Sequence, residues 1–193
     1  MSTWEQYFSQ VKPRLGARAH GFEKIFTHLD QRTNPVIIET GTYREENNFT
    51  GDGCSTLLFD RYVSTKGGSV ISIDIDSKAC ALAAANTSYN TDVVESDSIT
   101  FLSTLEGKAD LLYLDSCNIT DWLNDWEPAT HHLKELFAAK SVIAPGTLIV
   151  VDDNIIHEGT RRGKGRLIYE LMESLDIEPF LDEYQVGWIW IEL

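Results

Sequence analysis

Five short apolar runs, separated by stretches of helical pattern, constrain this chain more than any other feature. They are Val36-Ile37-Ile38 after Asn34-Pro35, Ser69-Val70-Ile71-Ser72-Ile73 after Gly67-Gly68, the brief Val93-Val94, Leu111-Leu112-Tyr113-Leu114, and Thr147-Leu148-Ile149-Val150-Val151 after Pro145-Gly146. Helical patterns fill the intervals over Ser55–Val63, Ser77–Tyr89, Ser98–Leu105 and Thr130–Lys140, and again over Gly165–Leu175. Strands that are apolar throughout, with helices between them, are buried on both faces, which predicts a parallel α/β sheet. The tail differs: Ile177–Leu181 and Val186–Ile191 predict an antiparallel hairpin on the sheet edge. Residues 1 to about 32 read as one or two amphipathic helices, giving a helical segment 1–33 ahead of an α/β unit over 34–193.

Open sheets of this kind bind ligands at the carboxyl ends of their strands, near the point where strand order reverses. The first strand ends Glu39-Thr40-Gly41-Thr42, and the next helix begins near Ser55 after Gly51-Asp52-Gly53. Nine residues, Thr42 to Thr50, separate Gly41 from Gly51, so the G-x-G-x-x-G dinucleotide turn is absent. The second strand ends Ile73-Asp74-Ile75-Asp76, which places Asp74 for a ribose diol and Asp76-Ser77 for a helix cap. Glu95-Ser96-Asp97-Ser98 follows the third strand, with Ser96 read as the cap and Asp97 as either a cap or an adenine contact. The fourth strand ends Leu114-Asp115-Ser116 and the fifth Val151-Asp152-Asp153-Asn154. Three carboxylates sharing one crevice with an amide raise the carboxylates' pKa values unless a cation sits among them, and hard oxygen donors suit Mg²⁺, Mn²⁺ or Ca²⁺. Helix capping and solvated loop acids are the alternative.

Charge narrows the partners. The chain carries 16 Lys and Arg against 30 Asp and Glu, a net charge of −14 over 193 residues. That acidity argues against nucleic acid and anionic membranes. No apolar run of about 18 residues exists, the first ten residues have no signal layout, and three scattered cysteines signal neither a disulfide framework nor a zinc cage. A soluble cytoplasmic protein is the expectation. One basic island, Thr160-Arg161-Arg162-Gly163-Lys164-Gly165-Arg166, reads either as a solvated loop or as a cationic rim in which Arg161, Arg162 and Lys164 orient an anionic substrate. Trp188 and Trp190 read as packing residues, whereas Trp122 and Trp126 stay open between packing and an acceptor lid. His131 and His132, being adjacent, do not face one metal.

The strand-end residues Glu39-Thr40-Gly41-Thr42, Ile73-Asp74-Ile75-Asp76, Asp110 to Asp115 and Gly146 to Asn154 together resemble class I S-adenosylmethionine-dependent methyltransferases. The resemblance covers about residues 35 to 193 and is nearest the small Mg²⁺-dependent O-methyltransferases of the catechol and the macrolide- or aminocoumarin-sugar type. It implies a Rossmann-like, doubly wound, mostly parallel seven-stranded sheet closed by the antiparallel hairpin. It also implies S-adenosylmethionine bound by Glu39, Gly41, Thr42, Ser55, Asp74, Asp97, Ser98 and Asp115. A divalent cation, Mg²⁺ in those families, would sit on Asp115, Asp152 and Asp153, with Asn154 competing with Asp152. Catalysis would involve Asp115, with Asp121 and His157 as candidates for the base, because Ser116-Cys117-Asn118 lacks the second acid of the sugar-modifying relatives. The loop Tyr43–Thr50 is longer than the usual glycine-rich turn, and no Asn/Asp-Pro-Pro-Tyr follows the fourth strand, which argues against base amino-methylation. The expected activity is O-methylation of a small hydroxylated molecule, a sugar or glycosylated metabolite favoured. A cofactor-binding module without catalysis and an NAD(P)-dependent oxidoreductase are the alternatives. The helices before residue 33 either cover the acceptor site or make a homodimer.

Overall fold

The computed structural model describes residues 3–52 and 54–191. Gly53 of the Gly51-Asp52-Gly53 motif lies outside them. Five parallel strands form the sheet's body: β1 Val36–Thr40, β2 Ser69–Asp74, β3 Thr91–Glu95, β4 Leu111–Leu114 and β5 Leu148–Val151. All four residues of β4 and of β5 are buried, as continuous apolar composition requires of strands covered on both faces. The short Val93-Val94 run grows into five residues because Thr91 and Asp92 continue the pairing with β2.

Two further edge strands, β8 Leu181–Asp182 and β9 Val186–Ile189, run antiparallel, so the sheet order is β3-β2-β1-β4-β5-β9-β8. This is the mostly parallel seven-stranded sheet with an antiparallel edge that the sequence predicts. Strand order reverses between β1 and β4. Thr40 pairs with both Ile73 and Leu114, and Leu114 with Val151, so four strands end in step at one edge.

The helices are α3 Ser55–Lys66, α4 Ser77–Asn86, α5 Ser98–Leu102, α6 Trp126–Ala138 and α7 Arg166–Ser174. α6 begins four residues before the predicted Thr130. Pro128 falls in its first turn, where a missing N–H breaks no helical bond. Asp76 caps α4 and Asp97, not Ser96, caps α5.

The N-terminal residues form α1 Trp4–Val11 and α2 Ala19–Leu29, joined by two 3-10 turns. They build part of the sheet's core. Trp4 meets Phe26 at 4.4 Å between ring centroids, and Phe22 stacks on Tyr113 of β4 at 5.8 Å. Such pairs contribute about 0.5–1.5 kcal/mol each beyond the area they bury.

One element is absent from the sequence reading. β6 Asn154–His157 and β7 Thr160–Gly163 form a separate two-stranded hairpin between β5 and α7. Its two-residue turn, Glu158-Gly159, has positive φ at both positions, the geometry of tight hairpins. Trp188 is 1% exposed and Trp190 packs against the same core, as expected of packing residues. No helix among the described residues is long and apolar enough to cross a membrane.

Candidate cofactor and acceptor site

A cavity of about 340 Å³ opens where β1, β2 and β4 end. Gly41 is the residue that permits it. Its φ is +81°, and a Cβ there would stand 2.6 Å from the Asp115 carbonyl oxygen, so only glycine lets the end of β1 lie against the end of β4. Beside it, Asp74 accepts the Thr42 N–H at 3.0 Å and the Asp76 N–H at 2.8 Å, one on each carboxylate oxygen. A carboxylate has about four acceptor positions, so each oxygen keeps capacity for a diol. Asp97 caps α5 through Oδ1, which accepts the Thr100 N–H and hydroxyl, and those bonds hold its carboxyl below the usual range. Cap and ligand-facing roles therefore fit one side chain. Cys54, φ +51°, precedes the first residue of α3, no side chain caps that helix, and Cys54 and Ser55 both line the cavity.

Behind one wall lies a hub. Glu135, on α6 and 0% exposed, accepts the hydroxyls of Ser98 (2.5 Å), Ser116 (2.7 Å) and Thr40 (3.2 Å), and meets His131 Nε2 at 3.2 Å. Ser98, Ser116 and His131 line the cavity. Burial opposes the Glu135 charge, but His131, His132 and the serine hydroxyls outweigh it and bring its pKa down to about 2. A group whose pKa falls on folding stabilises the protein above its unfolded value and loses that contribution as pH drops through the folded one. Glu135→Gln is therefore expected to cost on the order of 3 kcal/mol at neutral pH, with the difference from wild type vanishing between pH about 4.5 and about 2. Urea denaturation of both proteins across that range checks this; a constant difference would contradict it.

The acids after β4 and β5 are met by two buried cations. Lys164 Nζ stands 2.6 Å from Asp115 Oδ1 and 2.9 Å from Asp153 Oδ2, and its side chain is 2% exposed. Arg18, from the N-terminal segment, donates through Nε to Asp152 Oδ2 (2.6 Å) and through a terminal nitrogen to Asp153 Oδ1 (2.7 Å). Its other terminal nitrogen reaches the carbonyls of Thr50 and Gly51. The hydroxyls of Tyr113 and Tyr184 donate to Asp152 and Asp153 at 2.7 Å each. Burial, with Asp152 and Asp153 beside it, outweighs Lys164 and Arg18 and leaves the Asp115 carboxyl pushed up to about 8.

A family model described as a methyltransferase domain matches residues 49–154, more than half of the chain. The chain belongs to the methyltransferase-domain family. Its fold is that of the class I S-adenosylmethionine-dependent methyltransferases. Calicheamicin methyltransferase CalS11 superposes with a TM-score of 0.60 at 10% identity, over 98% of this chain and 92% of that one. The apo structure of CalS11, a TDP-rhamnose 3'-O-methyltransferase of calicheamicin biosynthesis, gives 0.55 at 12% identity over 98% and 94%. The S-adenosylhomocysteine-bound methyltransferase PaMTH1 of Podospora anserina gives 0.58 at 16% identity over 98% and 88%. No curated protein matches the sequence significantly. At these identities the likeness shows the fold.

The methyltransferase brings Gly41, Thr42, Ser55, Asp74, Asp97, Ser98 and Asp115 onto one cavity. Glu39 stands apart: it is fully buried behind the wall, where its Oε2 accepts the Thr56 and Ser72 hydroxyls at 2.6 Å and burial pushes its pKa up to about 7. Three groups of expected site residues are placed differently.

The proposed metal donors do not fit a divalent cation. Asp115, Asp152 and Asp153 already neutralise Lys164 and Arg18, and the Asn154 amide is spent on the Val151 and Asp152 carbonyls and the Gly165 N–H. No group of three or more acids, histidines or cysteines among the described residues is arranged to hold a metal. Asp121 and His157 are exposed and off the cavity; Asp121 caps a local turn at Leu123 N–H, and His157 ends β6 at the hairpin tip. The basic island is not a free rim either. Arg161 pairs with Asp182, Arg162 and Arg166 with the buried Asp125, and Lys164 with the strand-end acids.

Sequence reasoning missed Arg44 and His131, which line the cavity, and Arg18. Arg44 holds Asp52 at 2.7 Å and Asn118 at 2.7 Å, tying the long 43–52 loop to the segment after β4 across the cavity mouth. Nothing in its local pattern marks it.

Proposed function

We propose that this methyltransferase moves the methyl group of S-adenosylmethionine to a hydroxyl of a small molecule, with a sugar or glycosylated metabolite as the favoured class. The observation that carries the reading is the single cavity on which four successive strand-ends converge: Gly41 and Thr42, Asp74, Asp97 and Ser98, and Asp115. Asp74 would take the ribose diol, Asp97 and Ser98 the adenine edge, and the uncapped start of α3 the cofactor carboxylate. The acceptor class draws support from CalS11, whose own reaction is 3'-O-methylation of TDP-rhamnose. It also draws support from the segment leaving the cavity at Asn118, which carries the exposed Leu123 and Trp126, a surface suited to the apolar face of a ring.

Transfer is an in-line displacement. The acceptor oxygen bonds to the methyl carbon, the carbon–sulfur bond breaks with its electron pair going to sulfur, and S-adenosylhomocysteine leaves. The hydroxyl proton would pass to Asp115, whose side chain lines the cavity, is 15% exposed and is fixed on one oxygen by Lys164. In its ionised form, which Lys164 stabilises, this carboxylate is a stronger base than an ordinary one because burial raises its affinity for a proton. The divalent cation of the Mg²⁺-dependent relatives has no part in this reading.

Turnover of methyl-labelled S-adenosylmethionine across a panel of sugars, glycosylated metabolites and catechols tests it. Methylation of at least one hydroxyl acceptor is expected, with Asp115→Asn lowering kcat by about 10²–10⁴. Cofactor binding with no turnover on any acceptor would favour the non-catalytic binding module instead.

A further inference from the structure

We infer that the Lys164 ammonium, flanked by the Arg18 guanidinium, occupies the place a divalent cation would take among Asp115, Asp152 and Asp153, so that this methyltransferase carries its own cation and needs no metal. The delivery of Lys164 is built into the chain. Gly163 has φ +118°, and a Cβ there would stand 2.1 Å from the Asp153 carbonyl oxygen. Only glycine lets β7 pass so close to the end of β5. Lys164 N–H then donates to the Asp153 carbonyl at 3.1 Å, and Gly165 N–H to Asn154 Oδ1 at 2.9 Å. Those two backbone N–H donors, one on a carbonyl and one on the Asn154 side chain, fix the direction in which the Lys164 side chain leaves, toward Asp115 and its carbonyl oxygen at 3.1 Å.

The charge balance agrees. The buried Asp152 and the partly exposed Asp115 and Asp153 face two buried cations, which leaves one negative charge at the cavity wall, and Tyr113 and Tyr184 hydroxyls take further acceptor positions. A divalent ion would need oxygens from Asp115 and Asp153 at about 2.0–2.6 Å. Lys164 bridges one oxygen of each, so an ion held by both would lie against its buried ammonium. Asp152 is closed as well: Oδ2 takes Arg18 and Tyr113, and Oδ1 takes the Asp153 N–H. Lys164 is thus a positioning residue that orients Asp115 at the cavity wall.

The inference rests on the proposed methyl transfer only for its consequence, because its test reads metal binding alone. Mn²⁺ is titrated into the full chain in metal-free buffer, and the paramagnetic resonance signal of free Mn²⁺ is followed. Wild type is expected to leave that signal proportional to added Mn²⁺. Lys164→Met should gain one Mn²⁺ site, about tenfold or more tighter than any wild-type binding, because a vacated buried cation leaves its carboxylates free. Lys164→Met/Asp153→Asn should lose the gained site. One Mn²⁺ bound by wild type and lost in Asp153→Asn would overturn the inference, as would a folded Lys164→Met with no gain. Should Lys164→Met fail to fold, Lys164→Gln, which keeps a hydrogen-bond donor, carries the same arm, and the wild-type titration decides by itself.

Discussion

Arg18→Met will lower the melting temperature by about 6–20 °C. Arg18 is 5% exposed and its partner Asp152 is 0% exposed. Removing the guanidinium leaves Asp152 with only the Tyr113 hydroxyl and the Asp153 N–H, and leaves Asp153 to Lys164 and Tyr184. Breaking a buried ion pair from one side costs about 3–5 kcal/mol, because the remaining charge is neither hydrated nor matched. Loss of packing is a smaller part, since methionine keeps most of the apolar stem. A second substitution separates charge from packing: Arg18→Met/Asp152→Asn should recover more than half of the loss by removing the stranded carboxylate. Calorimetric melting of wild type and the two variants checks this. An Arg18→Met shift below about 2 °C would mean that the pair is solvated and the acids free.

Gly41→Ala will abolish or severely weaken cofactor binding. At φ +81° an alanine pays about 1–2 kcal/mol for the left-handed conformation alone. The new Cβ would also meet the Asp115 carbonyl oxygen at 2.6 Å and the Ser116 nitrogen at 3.1 Å, both backbone atoms held in register by the β1–β4 pairing. No flexible side chain is available to move aside. The strands must part at the floor of the cavity, displacing Thr42, Asp115 and Ser116 together. Loss of two charged or cofactor-facing hydrogen bonds is worth about 3–6 kcal/mol, well over a hundredfold in affinity. Far-ultraviolet circular dichroism should stay near wild type, because the sheet beyond the last residue pair is untouched.

The sheet was legible because β4 and β5 are apolar at every position, and a run of that kind has few places to go other than the middle of a parallel sheet. Asp74, which ends β2, and Asp115, which follows β4, were legible for the same reason, and Asp97 stands two residues beyond β3 as the cap of the next helix. The β6–β7 hairpin was not. His157, Thr160, Arg161 and Arg162 carry no alternation of apolar and polar residues, since neither hairpin face joins the main core. The counter-charges of the acid cluster are hidden in sequence for a related reason. The acid cluster was visible in sequence, but its counter-charges come from Arg18, 134 residues away from Asp152, and from Lys164, turned inward by the hairpin. Strand ends announce themselves locally, whereas the partners of a buried charge are set by tertiary contacts alone. The basic island failed in the same way. Its cations lie close in sequence, yet Asp125 and Asp182 approach from α6's start and from β8.

The most direct test of the central claim is an isothermal titration of S-adenosylhomocysteine, and separately of NAD⁺, into wild type and Gly41→Ala with a chelator present throughout. The structure predicts one S-adenosylhomocysteine site per wild-type chain, no NAD⁺ heat, and no site in Gly41→Ala. Absence of S-adenosylhomocysteine binding to wild type, or binding that Gly41→Ala leaves intact, would contradict it.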